Sequence, residues 1–332
     1  MKVLVTGATS MLGAGLVRAL LARGDEVTVL QRRPSGLPCR EVLGDVADAR
    51  AVSAAVVGRE AVVHLAAKVH VVGAGREFVR VNVEGTRNVV DAASRAPSVD
   101  RLVHVSTPSV AYTGSALVGV GAGPADPARA QGHYARTKAV AEQLVLGADR
   151  DGLAVVAIRP HLVWGPGDTQ LIGRIVERAR SGRLALVGSG AALIDTTYVD
   201  NAVDALVCAL DRARVVDGEA LVVSNGEPRT VAELFAAICA AAGVPAPRRH
   251  VPPAVAWTAG VLAEGVWSAF RVAGDPPMTR FLAMQLATAH WFDQRRTREL
   301  LQWRPAVTLD EGLRRLADSM SAIGNTSAPC VG

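Results

Sequence analysis

The first thirteen residues constrain the fold more than any other stretch. Lys2 to Thr6 is a short β-branched run, Gly7 to Gly13 is a glycine-bearing turn, and Leu12 to Arg23 carries a helical pattern that Gly24 stops. A buried strand running through a glycine turn into a helix makes an anion cradle. Gly7 permits the tight turn, Gly13 lets helix and sheet approach, and the N–H groups at the helix start meet a pyrophosphate. The expected contacts are Gly7, Thr9, Ser10, Met11, Leu12 and Gly13. Ser10 stands where a further glycine is usual: its Cβ crowds a pyrophosphate, while its hydroxyl offers a hydrogen bond. The bland alternative is an ordinary strand-to-helix turn.

The same rhythm continues. Strands are expected at 26–30, 61–65, 101–105 and 154–159, and helices at 52–57, 83–94 and 134–146. Continuously apolar strands separated by helices imply a parallel sheet covered on both faces, an α/β doubly wound fold. After Pro160 the pattern turns to Gly/Pro-rich segments and helices, with a further strand at 221–224 and a helix at 231–242. The expected division is a dinucleotide-binding domain over 1–164, with a returning strand segment near 195–225. A smaller C-terminal substrate-binding domain is expected over 165–194 and 226–330. Gly114 to Gly132 is expected to be a surface loop.

Composition narrows the classes. The chain has 332 residues, 50% hydrophobic, and a formal charge of +5 that no basic run concentrates, so no nucleic-acid partner is expected. Cys39, Cys208, Cys239 and Cys330 show no CxxC spacing, which reads as a reducing compartment, with Cys208 and Cys239 as small buried hydrophobes. The seven histidines form no paired-ligand pattern, so no metal is expected. With the first strand beginning at Lys2 and no long uncharged apolar run, a cytoplasmic protein is expected. The greasiest segment, Ala254 to Ala273, carries one polar stripe of Gly260, Glu264, Ser268 and Arg271. Trp257, Val261, Leu262, Val266, Trp267 and Phe270 cover the rest. The leading reading is a buried cap helix. The alternative is an amphipathic lid that touches an acyl chain or a membrane, making the protein membrane-associated.

The second strand ends in Gln31-Arg32-Arg33. An NAD site usually places an acid here for the ribose 2′-hydroxyl. Arg32 and Arg33 instead offer charge-assisted bonds to a 2′-phosphate, which favours NADP, with NAD the alternative. Asp45 and Val46 are then expected near the adenine.

Tyr134 and Lys138 stand at i and i+4, on one helix face about 6 Å apart. A cation beside a phenol lowers its pKa, so Tyr134 is expected to act as general acid or base at a carbonyl or alcohol. Glu142, a turn further on, reads as a solvated partner of Lys138. Strand 101–105 runs into Ser106 and Thr107, hydroxyls suited to hold a developing alkoxide. Thr107 is the first choice and Ser106 the second, while Ser109 and Tyr112 read as structural.

Together these residues resemble the extended short-chain dehydrogenase/reductase family, whose fold is of the Rossmann type. The likeness includes His64 to Ala67, Asn82 to Thr86, Arg159-Pro160 with Trp164 to Pro166, and Tyr198 to Asn201. The resemblance implies that Leu65, Ala66, Ala67 and Lys68 lie along the cofactor. Asn82 supports the active site, Lys138 binds the nicotinamide ribose, and Pro160, His161 and Val163 lie beside the nicotinamide. The stretches 158–168, 276–281 and 290–293 resemble the 3β-hydroxysteroid dehydrogenase-like branch, and within it the bacterial 2-alkyl-3-oxoalkanoate reductases of olefin biosynthesis. What this implies is a lipophilic 3-oxo acid as substrate and a homodimer. A steroid or sterol dehydrogenase, a nucleotide-sugar epimerase or dehydratase, and a non-catalytic redox sensor are the competing readings.

Overall fold

The computed structural model describes residues 1–69, 74–149, 152–270, 272 and 276–326. Arg271, Ala273 and Cys330 lie outside the described residues, as does the side chain of Ser268. Seven parallel strands form the main sheet: β1 (Lys2–Thr6), β2 (Glu26–Gln31), β3 (Arg40–Leu43), β4 (Ala61–His64), β5 (Arg101–Val105), β7 (Ala154–Pro160) and β12 (Glu219–Val223). Their spatial order is β12-β7-β5-β4-β1-β2-β3, so the direction of winding reverses beside β1. That reversal opens the crevice in which doubly wound sheets bind ligands.

Strands β1 and β4 are apolar on both faces because helices cover both. On one face lie α1 (Met11–Ala22) and α7 (Val199–Arg212), with Leu16, Val17, Leu20, Leu206 and Leu210 in the core. On the other lie α2 (Ala49–Val56), α3 (Gly75–Phe78), α4 (Gly85–Arg95) and α5 (Gly132–Leu146), over Val52, Val89 and Val145. Between α3 and α4 the chain makes a π-helical turn over Val79–Glu84, which places Asn82 in the interior. Such bulges are frequent at functional sites.

A second sheet, ordered β13-β10-β15-β6, is built from β6 (Leu117–Val120), β10 (Leu193–Ile194), β13 (Arg229–Thr230) and β15 (His290–Phe292). The expected surface loop 114–132 therefore contains a strand. Leu117 and Val118 pair with His290 and Trp291, a partner far along the chain. Two short pairs flank it, β8 (Val163–Trp164) with β11 (Thr197–Tyr198) and β9 (Ala185–Val187) with β14 (Arg249–Val251). The helices of this half are α6 (Ile172–Arg180), α8 (Val231–Ala241), α9 (Pro253–Phe270), α10 (Arg280–Ala287) and α12 (Leu309–Thr326), while α11 (Arg295–Leu301) returns to the main sheet and puts Leu301 into its core. Thr230 and Glu233 start α8 with a reciprocal capping box. Cys239 is buried in α8, while Cys208 is only half-buried.

Helix α9 is not the buried cap that its composition favoured. The described members of its polar stripe face the protein: Glu264 accepts from the backbone and the guanidinium of Arg280, each at 2.8 Å, and Gly260 packs on Thr279 and Arg280. A Cβ on Gly260 would come 2.6 Å from the Arg280 nitrogen. The apolar flank points outward instead, with Leu262 65% and Phe270 78% exposed and Val255, Trp257, Val261 and Val266 beside them. Among the described residues no helix is long and apolar enough to cross a membrane.

Candidate active site

The glycine turn is shaped by close approach. Gly7 sits at φ +77°, and a Cβ there would come 2.8 Å from the Ala66 nitrogen. A Cβ on Gly13 would come 2.4 Å from the Gly7 carbonyl. Ser10 caps α1: its Oγ accepts from the Gly13 N–H at 3.0 Å and donates to the Gly7 carbonyl at 2.9 Å. Its hydroxyl thus closes the loop, so the proton expected to reach a phosphate is already spent. The N–H groups of Met11 and Leu12 open the helix without intrahelical acceptors. A turn that a Cβ would fill, followed by free N–H donors, fits a pyrophosphate.

A cavity of about 640 Å³ runs from this turn across the sheet ends into the second half. Of the expected residues, Gly7, Thr9, Ser10, Leu12, Arg32, Asp45, Val46, Leu65, Ala66, Ala67, Thr107, Tyr134, Lys138, Pro160, His161 and Val163 line it. Met11, Gly13, Arg33, Lys68 and Asn82 do not. Met11 packs toward the second hydrophobic core, and Lys68 pairs with Glu77 at 2.7 Å. Arg32 reaches the cavity rim. Asp45 is bonded to Arg80 at 3.0 Å and to the Ala47 N–H, and its carboxyl is held below the usual range by these partners against its partial burial. Asn82 acts from behind: it accepts from the Lys68 N–H at 2.7 Å and donates to the Thr137 hydroxyl at 3.0 Å. It ties the segment after β4 to α5, which carries Tyr134 and Lys138.

Thr107 caps the turn after β5, its hydroxyl accepting from the Ser109 N–H at 3.3 Å, and lines the cavity with Tyr134. Ser106 also lines the cavity, but its buried Oγ has no partner among the described residues. The Lys138 ammonium is enclosed, 2.6 Å from the Val105 carbonyl and 3.0 Å from Nε2 of His104. The expected lowering of the Tyr134 pKa is reversed. Burial pushes the phenol up to about 12, with the Thr107 hydroxyl pulling the other way. Burial also brings Lys138 down to about 7, opposed by Glu142. Desolvation outweighs the partner because Lys138 is buried and Tyr134 is half-buried in the cavity wall.

Glu142 is not solvated. It is buried against Arg159, whose Nε donates to it at 2.8 Å while Nη1 donates to the Gly123 carbonyl. This pair fastens α5 to β7. Ser109 and Tyr112, read as structural, also line the cavity, and the buried Tyr112 hydroxyl has no partner among the described residues.

Beyond Tyr134 the wall is mainly apolar, with Leu117, Ile194, Leu234, Phe235, Phe281, Leu282, Leu286 and Phe292, and His161, Gln285 and His290 are set among them. The apolar side chains come from β6, β10, α8, α10 and β15, and sequence reading missed their convergence. It also missed the pairing of His64 with His104, whose rings are tilted by 37° with centroids 5.3 Å apart beside Lys138. His64 bonds Thr6 and Thr86, and burial with the Lys138 charge lowers it to about 3.

Fold and site together define an NAD(P)-dependent oxidoreductase of the extended short-chain dehydrogenase/reductase class. The chain belongs to the NAD dependent epimerase/dehydratase family, whose pattern matches residues 3–224. It is 43% identical over 333 residues to a 2-alkyl-3-oxoalkanoate reductase of Stenotrophomonas maltophilia (strain K279a), covering 97% of this chain and 100% of that protein. It is 31% identical over 330 residues to a 3-beta-hydroxysteroid dehydrogenase of Mycolicibacterium neoaurum, covering 94% and 89%. In fold it is similar to a short-chain dehydrogenase/reductase superfamily protein from Agrobacterium tumefaciens solved with bound NAD, with a TM-score of 0.77 and 24% identity over 98% of this chain and 99% of that one.

Proposed function

We propose that the protein is an NADP(H)-dependent reductase that converts the 3-oxo group of a long-chain 2-alkyl-3-oxo acid to the 3-hydroxy group, reversibly. One observation carries the reading: the Tyr134–Thr107 pair opens directly onto the apolar wall of β6, α8, α10 and β15. A polar sugar substrate would leave its hydroxyls unpaired against that wall. The likeness to the Stenotrophomonas reductase supports the acid over other greasy ketones.

The dinucleotide, held at Gly7 to Gly13, Arg32 and Leu65 to Ala67, supplies hydride chemistry when bound. Tyr134 keeps its proton at neutral pH because burial raises it, which suits a general acid for the substrate oxygen. Thr107 positions the phenol and offers a second donor to the developing alkoxide. Lys138 gives the pocket a cation whose charge neutral pH can tune. Arg32 at the rim, with Gln31 where an acid would stand, favours NADP; the NAD held by the Agrobacterium neighbour supports NAD as the second reading. The outward apolar face of α9, next to the cavity-lining α10, supports peripheral contact with a lipid surface.

The test runs in the oxidative direction, because free β-oxo acids lose carbon dioxide. A 2-alkyl-3-hydroxy acid and a 3β-hydroxysteroid are offered side by side with NADP and NAD. Turnover of the acid with NADP is expected; turnover of the steroid alone would overturn the substrate reading, and the steroid reading suggested by the Mycolicibacterium relative would replace it.

A further inference from the structure

Two buried imidazoles stand in the substrate half of the cavity. His161 follows β7 and His290 opens β15. Their rings meet edge to face with centroids 5.2 Å apart, and Nε2 of His161 lies 3.3 Å from Nδ1 of His290. Nε2 of His290 lies 2.7 Å from the Gln285 carbonyl. A carbonyl only accepts, so that nitrogen carries the proton. Neutral His290 then accepts at Nδ1, and His161 donates from Nε2. Nδ1 of His161 is left without a hydrogen-bond partner among the described residues. The His161 side chain is buried, with the residue 8% exposed, and it faces the cavity.

The basic side chains lining the cavity, among the described residues, are Arg32, Lys138, His161 and His290. Arg32 belongs to the dinucleotide end. Lys138 is held by Val105 and His104. A carboxylate brought against the apolar wall loses its water and needs a charged donor. We infer that His161, backed by His290 and the Gln285 carbonyl, is the subsite for the substrate's carboxylate, taking one proton from solvent at Nδ1 and donating it in a hydrogen bond to a carboxylate oxygen. The inference deepens the reading above and rests on the substrate being an acid. In the protonated row every N–H has an acceptor: carboxylate, His290 and Gln285 in turn.

The other groups around His161 do not compete for this role. Phe292 faces its ring at 5.0 Å, and Thr197 bonds its carbonyl. Asp195, on the segment before β11, is taken up by Ser224 and by the N–H groups of Thr196 and Gly226. Burial, and for His161 also the neighbouring His290, holds both rings below the ordinary imidazole range. The proton therefore arrives with the ligand, and acid affinity falls as pH rises.

The experiment is calorimetric titration of the full chain with lauric acid and with lauryl alcohol, at neutral pH, in two buffers of different ionisation enthalpy. Uptake of about one proton is expected with the acid and none with the alcohol. His161→Asn is expected to lose the uptake and to weaken the acid by about ten- to a hundredfold, with a much smaller change for the alcohol. His290→Phe keeps His161 but removes its acceptor, and weakens the acid in the same direction. Circular dichroism checks that both variants fold; if His161→Asn does not, the acid and alcohol pH dependences of the parent protein decide. Acid binding without proton uptake, or an unchanged acid preference in folded His161→Asn, overturns the subsite. If no 2-alkyl-3-hydroxy acid is turned over while lauric acid still binds with a proton that His161→Asn loses, the reductase reading fails and the subsite stands.

Discussion

Nζ of Lys138 lies 3.0 Å from Nε2 of His104, and both residues are buried in the floor of the site. The ammonium donates, so His104 is neutral with its proton on Nδ1, which has no partner among the described residues. His64 lies alongside, also neutral. A lysine beside two uncharged imidazoles makes the site floor sensitive to acid.

The first prediction concerns that floor. The folded pKa of His64 is about 3 against an ordinary 6.5, so between those values the unfolded chain binds a proton that the folded chain refuses. The stability associated with neutral His64 is whole above pH 6.5 and is lost as pH falls toward 3. The melting temperature should drop across that window, and His64→Asn should flatten the drop. An equally steep fall in the variant would assign it elsewhere.

Tyr134→Phe keeps the ring and removes the proton donor. The expected loss in kcat is about a hundred- to ten-thousandfold, with dinucleotide affinity little changed. Since the phenol sits near 12, the oxidative rate of the parent should climb with pH well past neutrality. Steady-state rates in both directions measure this.

Arg32 and Arg33 are separable. Arg32 lines the cavity and Arg33 does not. Arg32→Ala should weaken NADPH by roughly ten- to a hundredfold and leave NADH almost unchanged, while Arg33→Ala should do little to either. Equal losses for both cofactors from Arg32→Ala would remove it from 2′-phosphate recognition.

Gly13→Ala sets a methyl 2.4 Å from a backbone carbonyl that cannot swing away. The turn must open. Stability should fall by about 1–3 kcal/mol in urea unfolding, and dinucleotide binding should fall with it.

Leu262→Glu and Phe270→Glu place charges on the outward flank of α9. If that flank meets lipid, vesicle co-sedimentation should be lost while stability in urea unfolding stays within about 1 kcal/mol of the parent. Retained co-sedimentation would leave the apolar face without a lipid role.

Local periodicity explains what was legible. The turn from Gly7 to Gly13 and the Tyr134–Lys138 spacing are short-range patterns that a strand–turn–helix unit and a single helix face define. Glu142 was misjudged because its partner Arg159 lies on β7, and only the docking of α5 on β7 buries both. The strand β6 was hidden for the same reason, since its register is set by β15 near the other end of the chain.

The sequence by itself determined the doubly wound class, the dinucleotide turn and the tyrosine–lysine pair, because periods of two and 3.6 residues and a fixed helical offset act within a few turns. Tertiary structure alone decided three things. It turned Glu264 of α9 inward onto Arg280, it let burial lift Tyr134 rather than a cation lower it, and it brought His161 to His290 across 129 positions of chain. Each depends on which surfaces lose water together, and that is settled only when distant segments pack.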